Sequence, residues 1–297
     1  MLIVTRRNFF RNALAATGAL AAFGPSLAMA QQAKEKKFKI SLAAWSLQPW
    51  FNKEWVNLDL PRIVREEFDL DGLEFVNSFF ELPRYDYLND LKKRASDYGV
   101  QFVLIMCDDE GDMSHNEKAE REKAVRQHHK WVDIAWFLGC HAIRGNARTD
   151  TPGTDEERVT RCAESYHELC EYADQAGISV IVENHGAFSS IPEYLVSLVK
   201  QVEPSRFGLL PDYGNFARDV DRYRALEMVM PYAKGVSVKC TDFDENGNHL
   251  AWDLDRLIKI TLDAGYHGFM GIEAGSRNMR HHENVLACRN LLRKYQS

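Results

Sequence analysis

The sequence has no C-x-x-C pair, and its six cysteines, Cys107, Cys140, Cys162, Cys170, Cys240 and Cys288, are scattered without zinc-like spacing. That argues against a zinc ribbon or a redox dithiol. A chain of 297 residues buries enough apolar surface to fold without staples. The cysteines therefore read mainly as small buried hydrophobes, with one disulfide left open. No G-x-G-x-x-G follows the first strand-like run, which weakens a dinucleotide-binding reading. Positive charge is also short, with 37 Lys and Arg against 43 Asp and Glu and a net charge of −6. Such a balance repels phosphate backbones, so nucleic acid is not an expected partner.

The most apolar stretch lies at the start, and it is too broken for a membrane span: Thr17, Gly18, Gly24 and Pro25 interrupt it. Thr5-Arg6-Arg7-Asn8-Phe9-Phe10 opens an Ala/Leu/Gly run ending at Ala28-Met29-Ala30, which has the form of a twin-arginine export signal with an A-x-A cleavage site. This predicts a signal over residues 1–30, engagement of the twin-arginine export machinery, a periplasmic or otherwise exported location, and no membrane association after cleavage. The signal carries Arg6, Arg7 and Arg11 and no acid, so its removal leaves a still more acidic chain. Residues 31–37 are polar and basic without periodicity, and read as a disordered leader. Residues 38–297 are the expected folded domain.

Within that domain, short β-branched or apolar runs alternate with helical patterns. Strands are predicted at 38–46, 72–77, 101–107, 141–146, 178–183, 207–212, 235–240 and 268–273. Between them, helices are predicted near 59–68, 87–98, 117–138, 155–176, 192–202, 220–233 and 255–264, with a closing helix at 283–295. Strands repeatedly begin just after a glycine: Gly99, Gly139, Gly177, Gly235 and Gly265. Strict alternation implies parallel strands joined by right-handed crossovers. Eight such units predict an α/β fold, a (β/α)8 TIM barrel, as a single domain after the signal. A doubly wound open sheet is the alternative.

A barrel of this kind places its chemistry at the carboxyl ends of its strands. The polar residues expected there are Glu74, Arg144, Glu183, His185, Asp212, Asn215, Lys239 and Glu273. Three carboxylates meeting in one mouth repel each other unless some are protonated or a cation sits among them. Glu183, Asp212 and Glu273 are therefore candidate metal ligands. Oxygen donors suit Mn²⁺ or Mg²⁺, while a histidine would shift the preference toward Mn²⁺, Co²⁺ or Zn²⁺. Glu74 could instead pair with Arg144. His185 could do no more than hydrogen-bond a neighbour, and His128-His129 read as packing or surface residues. Asp108–Asp112 lacks the ligand order of a calcium loop and reads as a solvated or lid loop. Trp45, Trp50 and Phe51 could stack on a bound ligand or simply pack.

Four segments carry a family likeness: Val182-Glu183-Asn184-His185-Gly186, Pro211-Asp212-Tyr213-Gly214-Asn215, Gly235-Val236-Ser237-Val238-Lys239 and Gly271-Ile272-Glu273. They resemble the sugar isomerase and epimerase superfamily of xylose-isomerase-like barrels, which also holds inosose dehydratases and endonuclease IV-type repair enzymes. The resemblance implies a divalent ion held by Glu183, Asp212, the position of Ser237, and Glu273. Ser237 stands where the family has histidine. The fourth ligand is thus open, with His185 or His249 as substitutes, and the resemblance also allows a weakly held or absent ion. It further implies a sugar or keto sugar as the small-molecule substrate and metal-assisted proton transfer through an enediolate. Glu183 and Glu273 would move the proton, Lys239 would stabilise the oxyanion, and Glu74, His185, Asn215, Trp45 and Arg144 would contact substrate. Two alternatives remain open: a lyase or dehydratase acting on 3-keto glycosides or inososes, and a non-catalytic sugar-binding barrel.

Overall fold

The computed structural model describes residues 36–202, 206–276 and 278–297. The expected signal lies outside the described residues, as does most of the leader. The leader's last two residues are held in place: Lys36 pairs with Asp71 at 3.2 Å, and the Lys37 backbone N–H donates to Gln296 at 3.0 Å. Lys36 and Lys37 are thus tied to the barrel ahead of Phe38.

Eight parallel strands form one sheet: β1 (Lys39–Ala43), β2 (Gly72–Val76), β3 (Gln101–Met106), β4 (Ala142–Asn146), β5 (Ser179–Glu183), β6 (Phe207–Leu210), β7 (Val236–Cys240) and β8 (Phe269–Ala274). Their order is β6-β5-β4-β3-β2-β1-β8-β7. At the seam, Tyr213 N–H donates to Ser237 O (3.1 Å), Ser237 N–H to Pro211 O (2.9 Å) and Lys234 N–H to Leu209 O (2.9 Å). The sheet thus rolls into a nearly closed barrel. Helices α1 (Leu60–Glu66), α2 (Tyr85–Tyr98), α3 (Lys118–Leu138), α4 (Asp155–Ala176), α5 (Pro192–Val202), α6 (Arg222–Val229), α7 (Leu254–Asp263) and α8 (His281–Arg293) follow the strands in turn. This is a (β/α)8 TIM barrel. No described helix is long and apolar enough to cross a membrane.

Local sequence explains the helix limits. At the start of α4, the Thr154 hydroxyl accepts from Glu157 N–H while the Glu157 carboxylate accepts from Thr154 N–H, which satisfies two otherwise orphaned donors. Its stripe Val159, Ala163, Tyr166, Cys170 and Ala173 is buried. Gly99, Gly139 and Gly177 end α2, α3 and α4 at φ of 62°, 82° and 71°, a left-handed turn that costs other residues a steric clash. Gly235 serves differently: a Cβ there would lie 2.6 Å from Leu210 Cδ1, so glycine permits close packing inside the barrel.

Most boundaries shift by a residue or two, and three shifts have a clear local consequence. β1 stops at Ala43, and a 3₁₀ helix over Ala44–Trp50 follows, so Trp45 sits on that helix rather than on a strand. β6 ends at Leu210, before Asp212. α6 begins after Asp221, which caps it by accepting from Tyr223 and Arg224 N–H, and it gives way to a 3₁₀ turn where Pro231 lacks the next helical donor. All six cysteines are buried and unpaired.

Candidate active site

Strand side chains alternate faces, so one inward contact fixes the rest of a strand. Ile181 reaches within 3.5 Å of the Gly235 Cβ position inside the barrel. Glu183 shares that inward face one step toward the carboxyl end. By the same spacing, Ser237 and Lys239 stand above Gly235, and Glu273 stands above Gly271. Asp212 follows Leu210 and is paired with Ser237 across the seam.

These positions bring the three acids together. Glu183, Asp212 and Glu273 each offer an oxygen, and the three oxygens lie within 4.8 Å of one another. Two cations share the cluster. Lys239 Nζ contacts Glu273 Oε1 and lies 3.6 Å from Asp212 Oδ2. Arg144 Nε is 3.0 Å from Glu183 Oε2, but without hydrogen-bond alignment, so both atoms lack a directed partner. The same guanidinium donates to Asp108 at 2.7 Å and to Asn146 at 3.1 Å. Asn215 donates to Glu183 Oε1 at 2.8 Å, and Ser237 Oγ donates to Asp212 Oδ2 at 2.7 Å.

Burial controls the protonation of this group. It pushes the Glu183 carboxyl up to about 8, with Arg144 pulling the other way. Asp212 is also raised, by burial first, against the pull of Lys239. Burial opposes the charge on Lys239, yet Asp212, Glu273 and Glu183 outweigh it and hold the ammonium protonated. Arg144 is likewise kept charged by Glu183 and Asp108 despite burial. Burial, reinforced by Arg144, Arg148 and Lys239, drops His185 to about 4, so its ring is neutral at pH 7.

Above the cluster lies a cavity of about 450 Å³, walled by Trp45, Gln48, Pro49, Asp108, Asp109, Arg144, Arg148, Glu183, His185, Glu273, Ala274, Gly275 and His281. Trp45, Arg144, Glu183, His185 and Glu273 are therefore brought to one space. Asp212, Lys239 and Asn215 flank this space beside Glu183 and Glu273, with the Lys239 side chain 23% exposed. Glu74 is not at the mouth. It lies deeper in the barrel, 1% exposed, accepting from Ser41 Oγ at 2.6 Å and filling the space over Gly271. Its expected place at the substrate is corrected accordingly, and no ion pair joins it to Arg144, whose partners are Glu183 and Asp108. His249 is corrected as a fourth ligand: Nε2 bonds Thr241, and Nδ1 accepts from Ala251 and Trp252 N–H, all within its own loop. His185 adds no ring nitrogen to the carboxylate cluster.

Within the 108–112 loop Asp109 and Gly111 are exposed to solvent, while the rest is anchored to the barrel. Asn77 binds both the N–H and the C=O of Asp108, and the buried Glu110 takes hydrogen bonds from Trp131 (2.5 Å) and Asn77 (3.0 Å) and pairs with Lys130 (3.0 Å). Asp108 lies two residues past the last residue of β3, so the strand-end rule alone picks it out. The run of acids around it led to the solvated reading. Gln48 lies within the 3₁₀ helix, Arg148 on a loop and His281 at the start of α8, where no strand pattern signals them.

The donors fit a divalent cation. The three carboxylates are hard oxygen ligands at suitable mutual distance, and Glu183 Oε2 is buried without a hydrogen-bond partner. Glu183, Asp212 and Glu273 would hold the ion. The Ser237 hydroxyl beside them is occupied with Asp212.

No protein of curated function matches the chain in sequence. Solved structures resemble it in fold. 3-Keto-D-glucoside 4-epimerase YcjR from E. coli superposes with a TM-score of 0.68 at 14% identity, covering 86% of this chain and 99% of that one. D-Psicose 3-epimerase with D-tagatose from Clostridium cellulolyticum H10 gives 0.69 at 15%, covering 87% and 99%. The IOLI protein with a bound zinc atom gives 0.70 at 15%, covering 88% and 98%. The model of the xylose isomerase-like TIM barrel matches residues 64–295, so the chain belongs to that family.

Proposed function

We propose that this chain is an isomerase or epimerase of an unphosphorylated sugar or keto sugar, working by proton transfer through an enediolate. One observation carries the reading: carboxylate oxygens from β5, the segment just after β6 and β8 gather within 4.8 Å beneath a cavity walled by charged and aromatic side chains at the barrel mouth. Family membership supports it, as do two sugar epimerases and a zinc-bound protein among the structural relatives.

A divalent ion on Glu183, Asp212 and Glu273 would polarise the substrate carbonyl and lower the acidity barrier of the adjacent C–H. With an all-oxygen donor set, Mn²⁺ or Mg²⁺ suits it best, with Zn²⁺ or Co²⁺ as alternatives. The protein supplies the proton traffic. Burial raises the Glu183 carboxyl, and a cation on its oxygens would favour the charged carboxylate, the form that can take a proton. Arg144 and Asn215 fix its orientation. Glu273, from a non-adjacent strand, is the second proton-transfer group, and Lys239 beside it stabilises charge developing on the substrate oxygen. Neutral His185 and the Trp45 ring position the sugar. The twin-arginine start supports a periplasmic setting.

The test is exchange of an α-hydrogen of keto sugars in deuterated buffer by Mn²⁺-supplemented protein. Exchange should occur, and Glu183→Gln and Glu273→Gln should each cut it by about 10²–10⁴-fold. Folded protein that exchanges no sugar would overturn the reading. Appearance of an enone absorbance instead would identify the lyase.

A further inference from the structure

A second cavity of about 650 Å³ adjoins the first, lined by Asp109, Gly111, Asp112, Asn146, Arg148, Thr149 and Asp150. Asp109 and Arg148 belong to both walls. Between the two spaces, Asn146 of the second cavity donates to Asp108 Oδ1 of the first at 2.8 Å. The two are compartments of one cleft across the ends of β3 and β4. Each volume falls in the range that takes a drug-sized ligand, so a single sugar ring over Glu183 leaves the second compartment empty.

The second compartment is preformed. Gly111 is pressed onto α3 at φ +92°, where a Cβ would lie 2.8 Å from that of Ala124. Asp112 caps Ser114 N–H at 2.8 Å and accepts from the Thr149 hydroxyl, and Thr149 Oγ1 meets Thr151 Oγ1 at 2.8 Å. Together with the anchoring of Glu110, these bonds fix both walls before anything binds. The lining chemistry is that of polyol recognition: acceptors from Asp109, Asp112 and Asp150, donors from the exposed Arg148 and from Asn146. Three acids against one arginine disfavour a phosphate or carboxylate there.

We infer that the substrate is a neutral keto glycoside or reducing disaccharide, whose carbonyl-bearing unit lies over Glu183 and Glu273 while its second glycosyl group occupies the cleft between the β3 and β4 loops. This rests on the proposed function and names the substrate class of the same site. Arg148, at the junction of the compartments, reaches both parts.

The test pairs D-fructose and D-glucose with neutral disaccharides containing each (turanose, isomaltulose and lactulose; maltose and cellobiose) and with their 6-phosphates. Dissociation constants are measured calorimetrically on the Mn²⁺-supplemented full chain. At least one disaccharide should bind ten-fold or more tightly than its parent sugar, and the 6-phosphates more weakly. Asp150→Trp, which fills the second compartment from an exposed position, should bring the disaccharide-to-parent ratio close to one, and Arg148→Ala should lower it. Parent sugars that bind with no disaccharide advantage, or a ratio untouched by Asp150→Trp, would each overturn the second compartment while leaving the proposed function standing; a 6-phosphate that binds tightest would overturn both, because the proposed substrate is unphosphorylated. Folded protein that binds no sugar of either kind overturns both.

Discussion

Glu74 is the acid whose environment makes the sharpest prediction. Its Oε1 accepts from Ser41, its Oε2 has no partner, and Gly271 lies directly beneath, where even a methyl group would clash with the carboxylate. Burial, opposed by Ser41, raises its carboxyl from 4.5 to about 7. The folded state therefore holds a proton that the unfolded chain has already released, so stability falls as pH rises between those two values. At roughly 1.4 kcal/mol per pH unit, the loss accumulates to about 3 kcal/mol at most by pH 8. Glu74→Gln copies the protonated acid in shape and cannot ionise. At pH 4.5 the variant should match the parent, and at pH 8 it should be more stable by up to about 3 kcal/mol. Urea unfolding followed at half-unit pH steps measures both curves. Parallel curves would refute the reasoning, since ionisation of Glu74 would then carry no cost.

Arg144→Met should destabilise the fold by about 3–5 kcal/mol in denaturant titrations, because it strands Glu183 and Asp108 without their shared cation, and Arg144→Lys should recover little, lacking the planar fork. Gly271→Ala should cost about 1–3 kcal/mol by forcing the Glu74 carboxylate off Ser41, and most of that cost should vanish in a Glu74→Ala background. Protein recovered from the periplasm should begin at Gln31 by N-terminal sequencing, and Arg6→Lys with Arg7→Lys should keep it in the cytoplasm.

Much of this architecture was legible because two local codes coincide. Apolar runs of five or six residues alternate with amphipathic stretches, and left-handed glycines close three of the helices, so both ends of α4 can be read residue by residue. Glu183 and Glu273 stood out because each ends a strand that is otherwise apolar or small. The depth of a side chain in the barrel is a different matter. Glu74 precedes the end of β2 by two residues, and its level depends on how β2 is staggered against β1 and β8, which the pattern within one strand does not encode. Pairing was equally hidden: Arg144 could have met Glu74 or Glu183, and the stagger decides. The second compartment is built from loop residues around Asp109 and Thr149, where no periodicity operates.

The central claim is that Glu183, Asp212 and Glu273 form one cation-holding, proton-transferring cluster. Anomalous scattering from crystals soaked in Mn²⁺ tests it most directly. The account predicts a single peak within bonding distance of all three carboxylates, absent in Asp212→Asn crystals. No peak there at saturating Mn²⁺, with the Lys239 ammonium still seated on Glu273, would contradict it.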